Sequence, residues 1–159
     1  MRRVSLTPEL FRDTMARFAA GVTVVAVADG AGRALGMTAT AVTALSLEPP
    51  LLLVCIDRSA AIHDLIVRCR AFSLSILAGD QEDVAHRFAD PDQHEFAAAE
   101  TSPGGLPLVP GALAHIACTR SAVHPGGDHS IVTGQLDWSR TRDGAPLIHF
   151  RSEYARLAR

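Results

Sequence analysis

Residues 36–60 read GMTATAVTALSLEPPLLLVCIDRSA. Small and hydroxylated side chains run through Thr38-Ala39-Thr40-Ala41-Val42-Thr43-Ala44, then Pro49-Pro50 breaks the pattern. An apolar run over 51–56 follows and stops at Asp57-Arg58-Ser59. Small side chains let the backbone approach whatever lies against it, and threonine hydroxyls add donors and acceptors along one edge. An Arg and a Ser just past a strand end suit a phosphate. Together they describe an edge for a flat polar ring, followed by an anion site.

Outward from this stretch, the chain reads as short strands with few helices. Thr7-Pro8-Glu9 opens a helix, with Thr7 as N-cap and Pro8 at the first helical position. Phe11, Met15 and Phe18 form one apolar stripe, which reads as core, and Gly21 is the stop. Residues 21–28, rich in Val and Thr, read as a strand, and Asp29-Gly30-Ala31-Gly32 as a hairpin turn. Residues 51–56 read as a strand buried on both faces, and 60–70 as a short helix that Ser59 caps, its N-terminus adding to the anion site. FSLSIL at 72–77 is a half-buried strand. Residues 80–89 form a helix capped by Asp80, with Val84, Ala85 and Phe88 turned inward. Residues 90–111, rich in Pro, Gly and Asp, form a long loop bordering the site. Two strands, 112–123 and 129–138, flank His124-Pro125-Gly126-Gly127-Asp128, and 146–150 is the last strand before a tail holding Tyr154.

The absence of strand–helix–strand alternation argues for a closed antiparallel barrel, and no GxGxxG follows a strand. The 159 residues suit a single domain spanning 1–159, and 48% apolar with 20% charged residues describes a globular chain. A formal net charge of −2 without a basic block gives nucleic acid no surface. Arg2-Arg3 is not followed by an apolar signal region and no run reaches membrane-spanning length, so a cytoplasmic protein is expected. Cys55, Cys69 and Cys118 are odd in number and lack CxxC spacing, which argues against a disulfide framework or a zinc site. On residues alone, 126–130 (GGDHS) reads as a turn, a nucleotide contact or, with His124, a metal-ligand set.

GMTATAVTALSLEPPLLLVCIDRS resembles the signature of the flavin reductase family, the small partners of two-component flavin monooxygenases. The resemblance extends in order through FRDTMARFAAGVTVV, FSLSILAGDQEDVAHRFA, PGGDHSIVTGQLD and PLIHFRSEY, and so covers nearly the whole chain. It implies a mainly β fold, the FMN-binding split barrel with a few short helices and Greek-key connections, in a homodimer with flavin near the subunit interface. The implied activity is hydride transfer from NADH or NADPH to FMN or FAD, with reduced flavin passing to a monooxygenase partner. Carried onto this sequence, Thr38, Ala39, Thr40, Ala41 and Val42 would line the ring, with Ser46 near the ribityl chain. Asp57, Arg58, Ser59, Ala60 and Ala61 would lie by the ribityl and phosphate end, and Phe88 joins the cofactor-binding set. His129 would be the catalytic contact to nicotinamide, fixed by Asp128, with Tyr154 nearby. No metal is expected. Thr40, Ala41 and Val42 stand where the family often has Asn, Ser and Phe; one lost neutral hydrogen bond costs about 1 kcal/mol and loosens flavin several-fold. The alternatives are a flavin- or haem-binding barrel without reductase activity, an oxidase on a bound small molecule, and a ligand-free dimerisation domain.

Overall fold

The computed structural model describes residues 6–157 and so leaves Arg2-Arg3 outside it. In order, the chain forms α1 (Pro8–Met15), β1 (Ala20–Gly21), β2 (Thr23–Ala28), β3 (Ala34–Ala39), β4 (Val42–Ser46), β5 (Leu51–Asp57) and α2 (His63–Arg68). Next come β6 (Ala71–Ile76), α3 (Glu82–Ala89), and the short strands β7 (Glu95–Phe96), β8 (Glu100–Thr101) and β9 (Pro107–Leu108). Two long strands, β10 (Ala114–Gly126) and β11 (His129–Thr141), precede β12 (Leu147–Phe150) and β13 (Glu153–Arg156). Eight strands make one antiparallel sheet in the order β4-β5-β11-β10-β6-β2-β3-β7, and β1-β12-β13 make a second.

The mainly β architecture agrees with expectation, but the closed barrel does not. Among the described residues no ladder joins β4 to the opposite end of the sheet. The reason lies at Thr40-Ala41. The chain leaves β2 at Ala39 and is paired with β5 from Val42 onward. One continuous segment therefore supplies β4, at one end of the sheet, and β3, next to the other end, and the two sides are joined by a bend of the chain instead of a ladder. Ala41 O accepts from Cys55 N at 3.0 Å and fixes the corner.

Ordinary side-chain chemistry shapes several local features. Thr7 Oγ1 accepts from Leu10 N at 3.2 Å, the cap that its sequence position foretells. Asp29 Oδ1 accepts from the amides of Ala31 and Arg33 and closes the first hairpin. Asp80 does not cap α3; Gln81 occupies that position, while Ala85 and Phe88 are buried as expected. Ser59 does not cap α2, which starts four residues later without a side-chain cap. The helix end expected at the anion site is therefore absent from it. The supposed tail after residue 150 folds back as β13 through Arg151-Ser152, both at positive φ (53° and 64°). Residues 90–111 are broken up by β7, β8 and β9 instead of forming one loop.

Three burial expectations are also overturned: β6, expected to be half-buried, is covered on both faces, with Phe72, Ser73, Leu74 and Ser75 all buried. β5 alternates, with Leu52, Val54 and Ile56 buried but Leu51, Leu53 and Cys55 only half-buried. Phe11, Met15 and Phe18 are exposed (54%, 51% and 75%), and α1 has no buried residue. Among the described residues no element covers these two apolar faces, which border one groove.

The main core centres on Phe72, which is fully buried. A Cβ built at Gly134 would lie 2.7 Å from Phe72 Cζ and 2.9 Å from Cys118 Cβ. The glycine lets the ring rest on the backbone of β11, beside the register shifts in its pairing with β10. Overpacking of this kind costs about 1–3 kcal/mol. Gly134→Ala is expected to lower the thermal midpoint by roughly 3–10 °C in a melting experiment. An unchanged midpoint would mean that the ring does not sit on the strand.

Candidate functional site

Two cavities meet beside the Thr40-Ala41 corner. The first, of about 310 Å³, lies between Gly36, Thr38 and Thr40 on one wall and Ala60, Ala61 and Ile62 on another. Phe88, Asp90, Pro91 and His94 form its third side, and His149 and Tyr154 its end. The second, of about 560 Å³, is the groove between Phe11, Met15 and Phe18 and the faces of Thr40–Thr43, Leu53 and Cys55. Thr40 and His149 border both cavities.

The floor of the first cavity follows from local sequence. A Cβ at Gly36 would lie 3.1 Å from both Phe88 Cε1 and Val24 Cγ1, so glycine allows the Phe88 ring to lie on β3. Thr38 Oγ1 donates to Ala85 O at 2.7 Å and ties α3 to the same strand. The Thr38 proton is therefore committed within the chain, whereas the Thr40 hydroxyl has no partner among the described residues. Gly36 N donates to His94 O at 2.7 Å and draws the 90–94 segment to the rim.

The structure brings Thr38, Thr40, Ala60, Ala61, Phe88 and Tyr154 together in the first cavity, and Thr40, Ala41 and Val42 in the second. Ala39 is in neither: it is buried, and its carbonyl accepts from Thr23 Oγ1 at 2.7 Å. Ser46 also lies apart, in an apolar cavity of about 450 Å³ with Leu47, Pro50 and Leu136. It stands at the far end of β4 from the Thr40-Ala41 corner.

Asp57, Arg58 and Ser59 do stand just past the end of β5, but their amides are engaged internally. Arg58 N donates to Asp128 O (3.0 Å), Ser59 N to Asp57 Oδ1 (2.7 Å) and Ala60 N to Asp57 O (3.0 Å). Ser59 Oγ also donates to Asp57 Oδ1, at 2.7 Å. What remains for an anion is the Arg58 guanidinium, which has no carboxylate partner among the described residues.

Asp128 and His129 are joined to this turn through the pairing of His129 with Asp57. Gly127, at φ 73°, is the first of two loop residues between β10 and β11. His129 Nδ1 is 2.7 Å from Asp128 Oδ1, so the carboxylate is positioned to hold the Nδ1–H tautomer. The partly exposed His129 lines neither cavity within this chain. No group of three or more side chains able to hold a metal occurs among the described residues.

Three further histidines have defined places. His149 sits opposite Tyr154 across β12 and β13, ring centroids 5.8 Å apart, and His86 meets the other side of Tyr154 at 4.8 Å. Burial, with Glu82 second, pushes the Tyr154 hydroxyl above its ordinary pKa. His63 Nε2 lies 2.9 Å from Ser130 Oγ and ties α2 to β11 next to His129. Of the cysteines, Cys118 is buried, and that burial (with Asp137 adding to it) pushes its thiol up to about 12. It is unsuited to nucleophilic work.

The Asp57 carboxyl is held below its ordinary value of 3.8, first by the Ser59 amide and next by the Ser59 hydroxyl; His129 and His63 add smaller attractions. Because the folded value is depressed, its contribution to stability is full above the ordinary value and lost as pH falls through the folded one. Ser59→Ala removes the second of these donors. Carboxyl NMR titration should show the Asp57 value rising part of the way toward 3.8. An unmoved value would mean that the hydroxyl points elsewhere.

Comparison with known proteins gives this geometry a context. The flavin reductase like domain family matches residues 15–158. The chain is 40% identical over 158 residues to an NADH-dependent flavin reductase of a Rhodococcus species, covering 96% of this chain and 88% of the relative. It is 40% identical over 150 residues to the reductase component of the 4-hydroxyphenylacetate 3-monooxygenase of Thermus thermophilus, covering 94% and 96%. Among solved structures it superposes on a Streptomyces globisporus NADH:FAD oxidoreductase, in complex with NAD and FAD fragments, with a TM-score of 0.89. That likeness carries 30% identity and covers 98% of this chain and 97% of the other. No helix among the described residues is long and apolar enough to cross a membrane. Matched along nearly its whole length, the chain belongs to the flavin reductase like domain family.

Proposed function

We propose that this chain is a single-domain, cytoplasmic NADH-dependent flavin reductase that passes reduced FMN or FAD to a separate monooxygenase component. The observation that carries this reading is the pair of cavities meeting at Thr40 and His149, because hydride transfer needs donor and acceptor rings in contact. Nicotinamide supplies the hydride and the flavin ring accepts it. The protein's share is orientation and electrostatics. Thr40, Ala41 and Val42 offer a narrow backbone edge and one unengaged hydroxyl to a ring, while Phe88, Ala60 and Ala61 give it apolar contact. Arg58 provides the charge for a phosphate, and Asp57 shapes the turn that carries it. Asp128 orients His129 toward a carboxamide or a ring oxygen. Ala39 and Ser46, away from both cavities, take no part.

The working unit is a homodimer. Its support is the exposed stripe of Phe11, Met15 and Phe18 facing the half-buried Leu53 and Cys55, an apolar groove that a second copy would cover. The second cavity would then lie at the interface, closed to water on that side.

Purified protein with NADH and FMN or FAD should oxidise NADH far faster than the enzyme-free mixture. Flavin binding without NADH oxidation would favour a non-reductase module instead. Arg58→Ala should raise KM for FMN about five- to tenfold, as expected for a charge-assisted contact partly screened by water, and leave riboflavin unaffected. Equal effects on both flavins would remove the phosphate role. Phe18→Asp should convert a dimer to monomers in sedimentation; a monomeric wild-type chain would refute the dimer outright.

A further inference from the structure

We infer that His149 is a further catalytic residue, which hydrogen-bonds the cofactor rings where the two cavities join; the inference rests on the flavin reductase reading above. Its placement is the first observation. Apart from Thr40, His149 is the residue bordering both cavities, so a group bound in either reaches it.

Its unused hydrogen-bonding capacity is the second. His63, His94, His115 and His129 each commit a ring nitrogen to a neighbour, with contacts of 2.9, 2.8, 2.7 and 2.7 Å. His86 pairs with Glu82 at 3.5 Å. His149 has no polar partner among the described residues, and its ring contact is the edge of Tyr154. His124 also lacks one, but it is exposed near the tip of the β10–β11 hairpin, away from either cavity.

The third observation is rigidity. His149 lies on the central strand of the β1-β12-β13 sheet, paired with Ala20 on one side and Tyr154 on the other. The hairpin is pinned at its tip, where Arg151 N donates to Ala16 O at 2.7 Å. The backbone that carries the imidazole is held by ladders on both sides before anything binds, and Tyr154 packs against the ring.

The chemistry follows from the ring. A neutral imidazole carries one N–H donor and one acceptor nitrogen. It can donate to a flavin carbonyl and accept from the carboxamide N–H of nicotinamide, bridging the two partners of the transfer. Hydride leaves nicotinamide with its electron pair, oxidising NADH to NAD⁺ and reducing the flavin, and His149 neither gains nor loses a proton. Negative charge grows on the carbonyl side of the flavin during transfer, so the donated hydrogen bond is stronger at the transition state than in the ground state.

The test compares His149→Phe, which keeps a ring against Tyr154, with His149→Gln, which keeps a donor and an acceptor. At saturating FMN, His149→Phe should lose about tenfold in kcat/KM for NADH, and His149→Gln should recover to within about threefold of wild type. Nitrogen NMR of the wild-type protein should show the His149 ring signals shifting on addition of FMN. A His149→Phe enzyme within twofold of wild type, equal losses in both variants, or ring signals indifferent to FMN would each overturn the inference. A wild-type chain that binds flavin but does not oxidise NADH would sink the reading beneath it.

Discussion

The bend at Thr40-Ala41 is the constraint on which the rest of the molecule depends. A segment of 13 residues, Ala34 to Ser46, is paired with β2 along its first half and with β5 along its second. Since β2 and β5 stand at opposite sides of an eight-stranded sheet, continuity of the chain forces that sheet to curl. A covalent corner can be lined by small residues and left open on its surface, where a hydrogen-bonded closure would fill the same space with a ladder. Both cavities sit against that corner.

Packing around the corner divides the work. On the inner side, glycine at 36 and the Thr38–Ala85 hydrogen bond bring Phe88 onto β3 and build a wall within one chain. On the outer side, Leu53, Cys55 and Val42 face a helix whose apolar residues cover nothing of their own. Burying an apolar side chain of this size is worth about 1.5–3 kcal/mol, so leaving several at the surface is a standing cost in a monomer. In the dimer we propose, the same contact would relieve that cost and finish the second cavity, so assembly and cofactor binding would draw on one surface.

What could be read from the sequence divides along physical lines. Local chemistry was legible: the Thr7 cap, the Asp29 turn, the inward face of α3 and the strand ends at Asp57 and His129 depend on neighbours a few residues away. Burial was not, because Phe11, Met15 and Phe18 have the spacing of a core stripe whether the covering surface belongs to the same chain or another. The cap at Ser59 failed for a chemical reason: its hydroxyl and amide both found the nearer Asp57 carboxylate. The β12–β13 hairpin escaped notice because Arg151-Ser152 adopts positive φ without the Asn or Gly that announces such turns. With the hairpin hidden, His149 could not be seen opposite Tyr154, although a two-residue turn would have put them there.

The inventory of engaged donors bears on how tightly such a site can hold its ligand. The Thr38 hydroxyl and the amides of Arg58, Ser59 and Ala60 all have partners inside the chain. Ala41 lacks a side-chain donor, and its carbonyl is taken by Cys55. In the site we propose, the side chains left for a flavin are chiefly the Thr40 hydroxyl, the Arg58 charge and the His149 ring. On that reading, contact area with Phe88 and the alanines would supply much of the attraction, and area alone discriminates weakly between oxidised and reduced rings. A reductase that hands its product to a separate oxygenase needs this weakness, since a hydrogen bond that holds the reduced ring harder must be broken again at release.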